Sequence, residues 1–169
     1  GNGNLWFGTL LSGLVRYNKD NDSFEYEQQQ ADNINSISDN HIRFIFFASY
    51  GILWIGTNSG ISYVNPSNNY FTVLKAGNAD KPKLLANWTR AFASDSLNRL
   101  WIATVKGISV YDNISKTFTN FQNSPTNKNL LSNNSIRALC ADKNKYMWIG
   151  TANGLMRYDF ITGNFKSYK

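Results

Sequence analysis

Three arginines recur at one spacing. Arg43, Arg90 and Arg137 lie 47 residues apart, and each stands three positions after an asparagine, in Asn40-His41-Ile42, Asn87-Trp88-Thr89 and Asn134-Ser135-Ile136. The Asn and the Arg repeat, whereas the residue just after the Asn is His, Trp or Ser. Framework positions repeat and recognition positions need not, so this is the place to seek a ligand. Guanidinium groups donate paired hydrogen bonds to carboxylate or sulfate, and a Trp presents a flat apolar face with a polar edge. The candidate ligand-binding set is therefore Trp88, His41, Arg43, Arg90, Arg137, Asn40, Asn87 and Asn134, and its chemistry suits a sugar, particularly an anionic one. The structural alternative has each Arg pairing with strand-end acids or with carbonyls of the adjacent repeat, and Trp88 packing in a loop.

Other chemistry is poorly provided for. His41 is the single histidine and Cys140 the single cysteine, so no Cys–His or His–His metal spacing exists. One His does not assemble a Ser-His-Asp set, and no Gly-rich phosphate loop or nucleophile elbow is present. Asp95 and Asp142 each follow the repeated Arg by five residues, a recurrence that predicts turn structure rather than a catalytic pair. The Gly and Asp residues of the turns lack the calcium-loop spacing. No cofactor, metal or catalytic residue is expected. Cys140 has no internal disulfide partner and is expected to be a buried, inert thiol.

The elements that must position the arginines follow from the same period. Leu5-Trp6-Phe7-Gly8-Thr9, Leu53-Trp54-Ile55-Gly56-Thr57, Leu100-Trp101-Ile102-Ala103-Thr104 and Met147-Trp148-Ile149-Gly150-Thr151 are four copies of one segment. Gly13, Gly60, Gly107 and Gly154 keep the register, as do Phe24, Phe71, Phe118 and Phe165. Tyr17, Tyr111 and Tyr158 share one position, with Val64 in the remaining copy. A period of this size means one supersecondary unit repeated. The short aromatic and β-branched runs, separated by Asn/Asp/Gly turns such as Asn65-Pro66-Ser67-Asn68, carry no 3.6-residue stripe and read as strands.

Four short antiparallel strands per repeat predict an all-β fold, a β-propeller built of four-stranded blades. The small-residue run holding Ala91, Ala93, Ala138 and Ala141 is assigned as innermost strand A, the Trp strand as B, and the next two as C and D. The blade repeats are then 5–27, which is partial, followed by 41–75, 88–122 and 135–169. Gly1-Asn2-Gly3-Asn4 directly precedes a B strand, so the first blade lacks strand A and the start reads as a cut. Three blades and most of a fourth predict an open arc with two bare blade faces, and hence a homodimer. The four B-strand Trp and the four periodic Phe are expected to be buried between blades.

The pattern Leu-Trp-Ile-Gly-Thr-x-x-Gly-Ile/Leu-x-x-Tyr-Asp, then Phe-x-x-Tyr/Phe, then Ser-Asn-x-x-Ile-Arg-x-Leu-x-x-Asp, resembles the two-component regulator propeller repeat across all four copies. Copy-specific departures are Asn87-Trp88-Thr89 and one extra residue between Trp6 and Gly13. The resemblance implies the extracytoplasmic, periplasmic sensor region of a Bacteroides-type hybrid two-component system. It implies as partners a glycan-derived oligosaccharide, the remaining propeller blades and a β-sandwich connector. A membrane helix, a histidine kinase and a response-regulator part would lie outside this segment, which itself would catalyse nothing. The competing readings are a propeller lyase acting on polysaccharide and a protein–protein scaffold.

Composition agrees with a compact domain. The chain has 169 residues and a formal net charge of +6, with Arg16, Lys75, Lys106, Lys143 and Lys169 scattered over the copies. A nucleic-acid surface would gather such charges into a patch, so no nucleic-acid partner is expected. No apolar run approaches the roughly 18 residues of a membrane helix.

Overall fold

The computed structural model describes residues 5–49, 51–65, 70–77, 83–124, 126–127, 130–142 and 145–168. The predicted start at Gly1–Asn4 and most of the turn at Asn65-Pro66-Ser67-Asn68 lie outside these residues, as do parts of the loops before the second and third strands A. The described residues form strands and turns only, and none of their segments is a helix long and apolar enough to cross a membrane. The chain divides into two compact units, Gly1–Lys75 and Ala76–Lys169.

The first unit holds two antiparallel sheets. One has three strands, β1 (Leu5–Gly8), β2 (Leu14–Asn18) and β3 (Ser23–Glu27), in sequence order. The other has four, β4 (Ile42–Phe47), β5 (Leu53–Thr57), β6 (Gly60–Val64) and β7 (Thr72–Leu74), again in sequence order. The core between these two sheets gathers Leu14, Ile37, Ile42, Leu53, Ile55 and Phe71.

The second unit repeats the plan. Strands β8 (Thr89–Ser94), β9 (Leu100–Thr104), β10 (Gly107–Asp112) and β11 (Thr117–Phe121) form one sheet, and β12 (Ile136–Asp142), β13 (Tyr146–Thr151), β14 (Gly154–Asp159) and β15 (Phe165–Tyr168) the next. These meandering sheets are propeller blades, three of four strands and one of three, with the small-residue strand on the A edge as expected. Ala91, Ala93, Trp101, Ala103, Ile108 and Val110 of one sheet pack on Met147, Ile149, Met156 and Phe165 of the other.

Alternation along the strands gives each blade two different faces. The B-strand Trp looks toward the following sheet: the Trp101 ring lies 5.0 Å from Tyr158 and 5.9 Å from Phe160. The Tyr–Phe pair of strands C and D looks toward the preceding sheet, with Phe165 5.2 Å from Phe121. This division corrects three expectations. Trp54 and Trp101 are buried, but Trp6 and Trp148 are only partly so. The contacts of Trp148 with Tyr146 and Tyr168 are all within its own sheet. Phe71 and Phe165 are buried, yet Phe24 is 56% exposed, because it lies on the face of the β1–β3 sheet turned away from β4–β7. Cys140 is exposed rather than buried. It pairs with Trp148 in register and so shares that outer face.

Turn chemistry explains the periodic Gly and Thr. In every copy the last residue of the Leu-Trp-Ile-Gly-Thr segment closes the B–C turn. The hydroxyls of Thr9, Thr57, Thr104 and Thr151 donate to the carbonyls of Gly13, Gly60, Gly107 and Gly154 at 2.8–3.0 Å. Gly60 has φ 125°, and a Cβ there would stand 2.6 Å from the Leu74 carbonyl oxygen, so no other residue fits without strain.

Candidate functional site

The repeated Arg marks an irregularity in the ladder. The A–B pairing shifts register between Ile42 and Phe44, between Thr89 and Ala91, and between Ile136 and Ala138. Arg43, Arg90 and Arg137 are thus the unopposed residues of three equivalent β-bulges. A bulge bends its strand and re-aims one side chain, and such features concentrate beside functional sites. Here it frees the arginine from the in-out alternation that would otherwise bury it between sheets.

The repeated Asn holds the chain on its way into strand A. Asn40 Oδ1 accepts from the Gln29 amide at 2.7 Å, Asn87 Oδ1 from the Ala76 amide at 2.7 Å, and Asn134 Oδ1 from the Asn123 amide at 2.6 Å. The separation is 11 residues each time. Each bond ties the segment leaving strand D to the start of the next strand A. This framework role occupies the carboxamide oxygen and leaves the amide nitrogen as the donor a ligand could use.

In the first unit His41 is half-buried, with its backbone amide on Asp39 Oδ1 at 2.8 Å. Asp39 Oδ2 also accepts from the Ser59 hydroxyl at 2.6 Å. Arg43 is exposed and its Nε donates to Asn58 Oδ1 at 2.7 Å. Asn40, His41 and Arg43 therefore gather with Asp39, Asn58 and Ser59 around the start of β4 and the β5–β6 turn.

The second unit brings more of the predicted set together. Arg90 Nη1 donates to Ser135 Oγ at 3.0 Å and to the Ile136 carbonyl at 3.4 Å, bridging from β8 to the first residues of the adjacent sheet. The adjacent-repeat carbonyl foreseen as the structural role of Arg is thus found at Arg90. The same bridge sets the Arg90 guanidinium beside the start of β12, where Asn134 and the exposed Arg137 stand. Trp88 is 48% exposed, in contrast to the buried Trp54 and Trp101, and its carbonyl accepts from the Val105 amide at 3.4 Å. Two cationic donors, one hydroxyl and an indole face thus border one end of the A strands in this unit. No group of three or more His, Cys, Asp or Glu able to hold a metal occurs among the described residues.

The sequence reading passed over Asn58, Asp39 and the bulges. Asp39 and Asn133 immediately precede the repeated Asn, and each accepts from the backbone amide two residues on, at 2.8 and 2.7 Å. That Asx pattern was available in the sequence. The bulges were not, because one unopposed residue leaves no signal in a single strand. Asp95 proves structural as expected. Its buried carboxylate accepts from the Leu97 and Arg99 amides, from Arg99 Nε at 2.7 Å and from the Trp101 indole at 2.9 Å.

Comparison with known proteins agrees with this architecture. The chain is 33% identical over 64 residues, 38% of its length, to a histidine kinase of Formosa agariphila, of which the match spans 5%. Among solved structures it is similar to the extracellular domain of a protein assigned to a hybrid two-component system of B. thetaiotaomicron. That likeness has a TM-score of 0.83 at 22% identity, covering 99% of this chain and 23% of the other. A catalytically inactive virginiamycin B lyase from Staphylococcus aureus is similar in fold, with a TM-score of 0.67 at 18% identity over 99% of this chain and 52% of the other. The chain thus spans 5% of the kinase, 23% of the extracellular domain and about half of the lyase. Residues 36–59 and 130–153 each match the family model described as two component regulator propeller, and both matched segments run through a bulged Arg into the Trp strand.

Proposed function

We propose that this propeller segment senses an oligosaccharide released from a polysaccharide and passes the signal to a histidine kinase elsewhere in the same protein. It performs no chemistry itself. The reading places the segment outside the cytoplasm, in the periplasm, beside further blades and a β-sandwich connector. The observation that carries it is the recurrence of a bulged Arg next to a residue that changes between copies. The repeat fixes the donor and varies its neighbour, which is how a repeat protein acquires specificity. Trp88, Arg90, Asn87, Asn134 and Arg137 would contact ligand in the second unit, and Asn40, His41 and Arg43 in the first. Arginine donors favour an oligosaccharide bearing carboxylate or sulfate. Self-association of the segment belongs to the same proposal. The lyase likeness is one of fold, and fold does not transfer activity.

The test is calorimetric titration of sulfated and uronate-containing oligosaccharides into the wild-type chain and Trp88→Ala. Loss of an exposed stacking ring is expected to weaken binding roughly 10-fold or more while the melting temperature holds. A variant that melts early yet binds every oligosaccharide at wild-type strength makes Trp88 a packing residue and removes the site.

A further inference from the structure

Charges that look scattered along the sequence are sorted by strand direction in the second unit. Its described acids are Asp95, Asp112, Asp142 and Asp159, and all of them stand at the A–B and C–D turns. Asp95 follows β8, and the others are the last residues of β10, β12 and β14. The opposite end holds the B–C turns and the starts of the A strands. It carries Arg90, Lys106 and Arg137, and no acid among the described residues. Asp80, the remaining acid of the unit, lies outside those residues, in the sequence Asp80-Lys81-Pro82-Lys83 with its two lysines. The six residues of β10 hold the two ends roughly 17 Å apart. That exceeds the Debye length of about 8 Å at physiological salt, so the acids leave the cationic end unneutralised. They are also engaged where they stand: Asp95 by Arg99, and Asp112 and Asp159 by turn amides.

Lys106 is the member of this end that the candidate set lacks. It is exposed in the β9–β10 turn, where the second and fourth copies have Ser59 and Asn153, so it varies between copies as residue 88 does. Its backbone is held at both sides. The amide donates to Thr104 Oγ1 at 3.1 Å, and the carbonyl accepts from Gln122 Nε2 at 3.1 Å. The adjoining Val105 amide donates to the Trp88 carbonyl, which joins this turn to the segment bearing the indole. The Lys106 ammonium itself has no hydrogen bond or ion pair among the described residues. We propose that Lys106 and Arg90, with the Trp88 indole, form a subsite for a polyanion. The oligosaccharide read by this unit then carries at least two anionic groups, one for the ammonium and one for the guanidinium. The fork of Arg90 suits a planar or tetrahedral oxyanion, and Lys106 acts as a point charge. That the polyanion is a sugar rests on the sensing reading; the sorting of charge does not.

Calorimetric titration of the 169-residue chain at about 50 mM salt, where screening is weak, tests this. The probes are a sulfated tetrasaccharide, the same tetrasaccharide without sulfate, and inorganic tripolyphosphate. The variants are Lys106→Gln, Lys106→Arg and Lys116→Gln. The last removes the same charge from the exposed C–D turn at the acidic end. Melting of each variant establishes that it folds. The sulfated sugar is expected to bind about 10-fold or more tightly than its unsulfated form, a difference that Lys106→Gln cuts about 5-fold and Lys116→Gln less than about 2-fold. Lys106→Arg keeps the charge and is expected to retain binding. Equal losses from Lys106→Gln and Lys116→Gln would trace the attraction to net charge and overturn the subsite. Equal binding of the two sugars would overturn it as well, and a loss of that binding in Trp88→Ala would leave the sensing reading standing. Tripolyphosphate bound with the same dependence on Lys106, while neither sugar binds, would overturn the sugar as occupant and the sensing reading with it.

Discussion

Replacing Trp101 by alanine is expected to destabilise the second unit far more than the same change at Trp148, although the two residues are identical in the repeat. Trp101 is 1% exposed, stacks on Phe121 at 5.8 Å and meets Tyr158 and Phe160 from the next sheet. A buried aromatic of this size removes roughly 150–250 Å² from water, and at about 25 cal/mol per Å² that is roughly 4–6 kcal/mol. Alanine retains its own small share and the cavity partly relaxes, so a loss of about 3–5 kcal/mol is expected. Asp95 would lose the indole donor but keep Arg99 Nε and two backbone amides, which limits that extra cost to about 1 kcal/mol. Trp148 is only partly buried, the equivalent Asp142 is exposed, and no bond from the Trp148 indole to a carboxylate occurs among the described residues. About half the loss is expected there. Urea unfolding followed by amide hydrogen exchange in β9 and β13 measures both. Equal losses, or a Trp101→Ala loss below about 1 kcal/mol, would refute the assignment of a distinct forward face to each blade.

Two further outcomes follow from single groups. Thr89 is 1% exposed and its Oγ1 has no partner among the described residues, whereas the equivalent positions are Ile42 and Ile136. Thr89→Val removes an unsatisfied buried hydroxyl without changing shape and should raise stability by about 1 kcal/mol in urea unfolding; a loss of that size would show that the hydroxyl is satisfied. Asp112 is held below the ordinary carboxylate pKa by the Ser115 and Ile114 amides, and Asp159 by those of Thr162 and Ile161. A lowered folded-state pKa stabilises above the unfolded value, and that contribution fades as pH falls through the folded one. Carboxyl NMR titration should therefore place both midpoints below the unfolded aspartate value of about 3.9, and midpoints at or above it would refute the turn bonds as the cause.

What the sequence disclosed and what it withheld divide along a physical line. The 47-residue register of Trp, Gly, Phe and Arg identifies the blade, its strand order and its turns, because each of those residues does the same local job in every copy. Thr57 closes its turn as Thr104 does, and Asn40 ties down its loop as Asn87 and Asn134 do. Burial is not local. Trp148 and Trp101 are the same letter in the same register, yet one is covered by Tyr158 and the other is not, since cover comes from the neighbouring sheet. Cys140 misled for that reason: a strand-A position looks buried in sequence, but its face of the last sheet points outward. The candidate site sits between these cases. Its Arg and Asn residues were legible because they repeat. Their chemistry was only half legible, because the bulge that turns each Arg out of the sheet is a property of two paired strands. The Oδ1 atoms of Asn40, Asn87 and Asn134 accept from backbone amides, a local role that the sequence did not show. In the proposed sensing role the binding load would therefore fall on the indole of Trp88 and the guanidinium groups of Arg90 and Arg137. Any specificity of this segment should accordingly follow the identity of residue 88 rather than the number of asparagines around it.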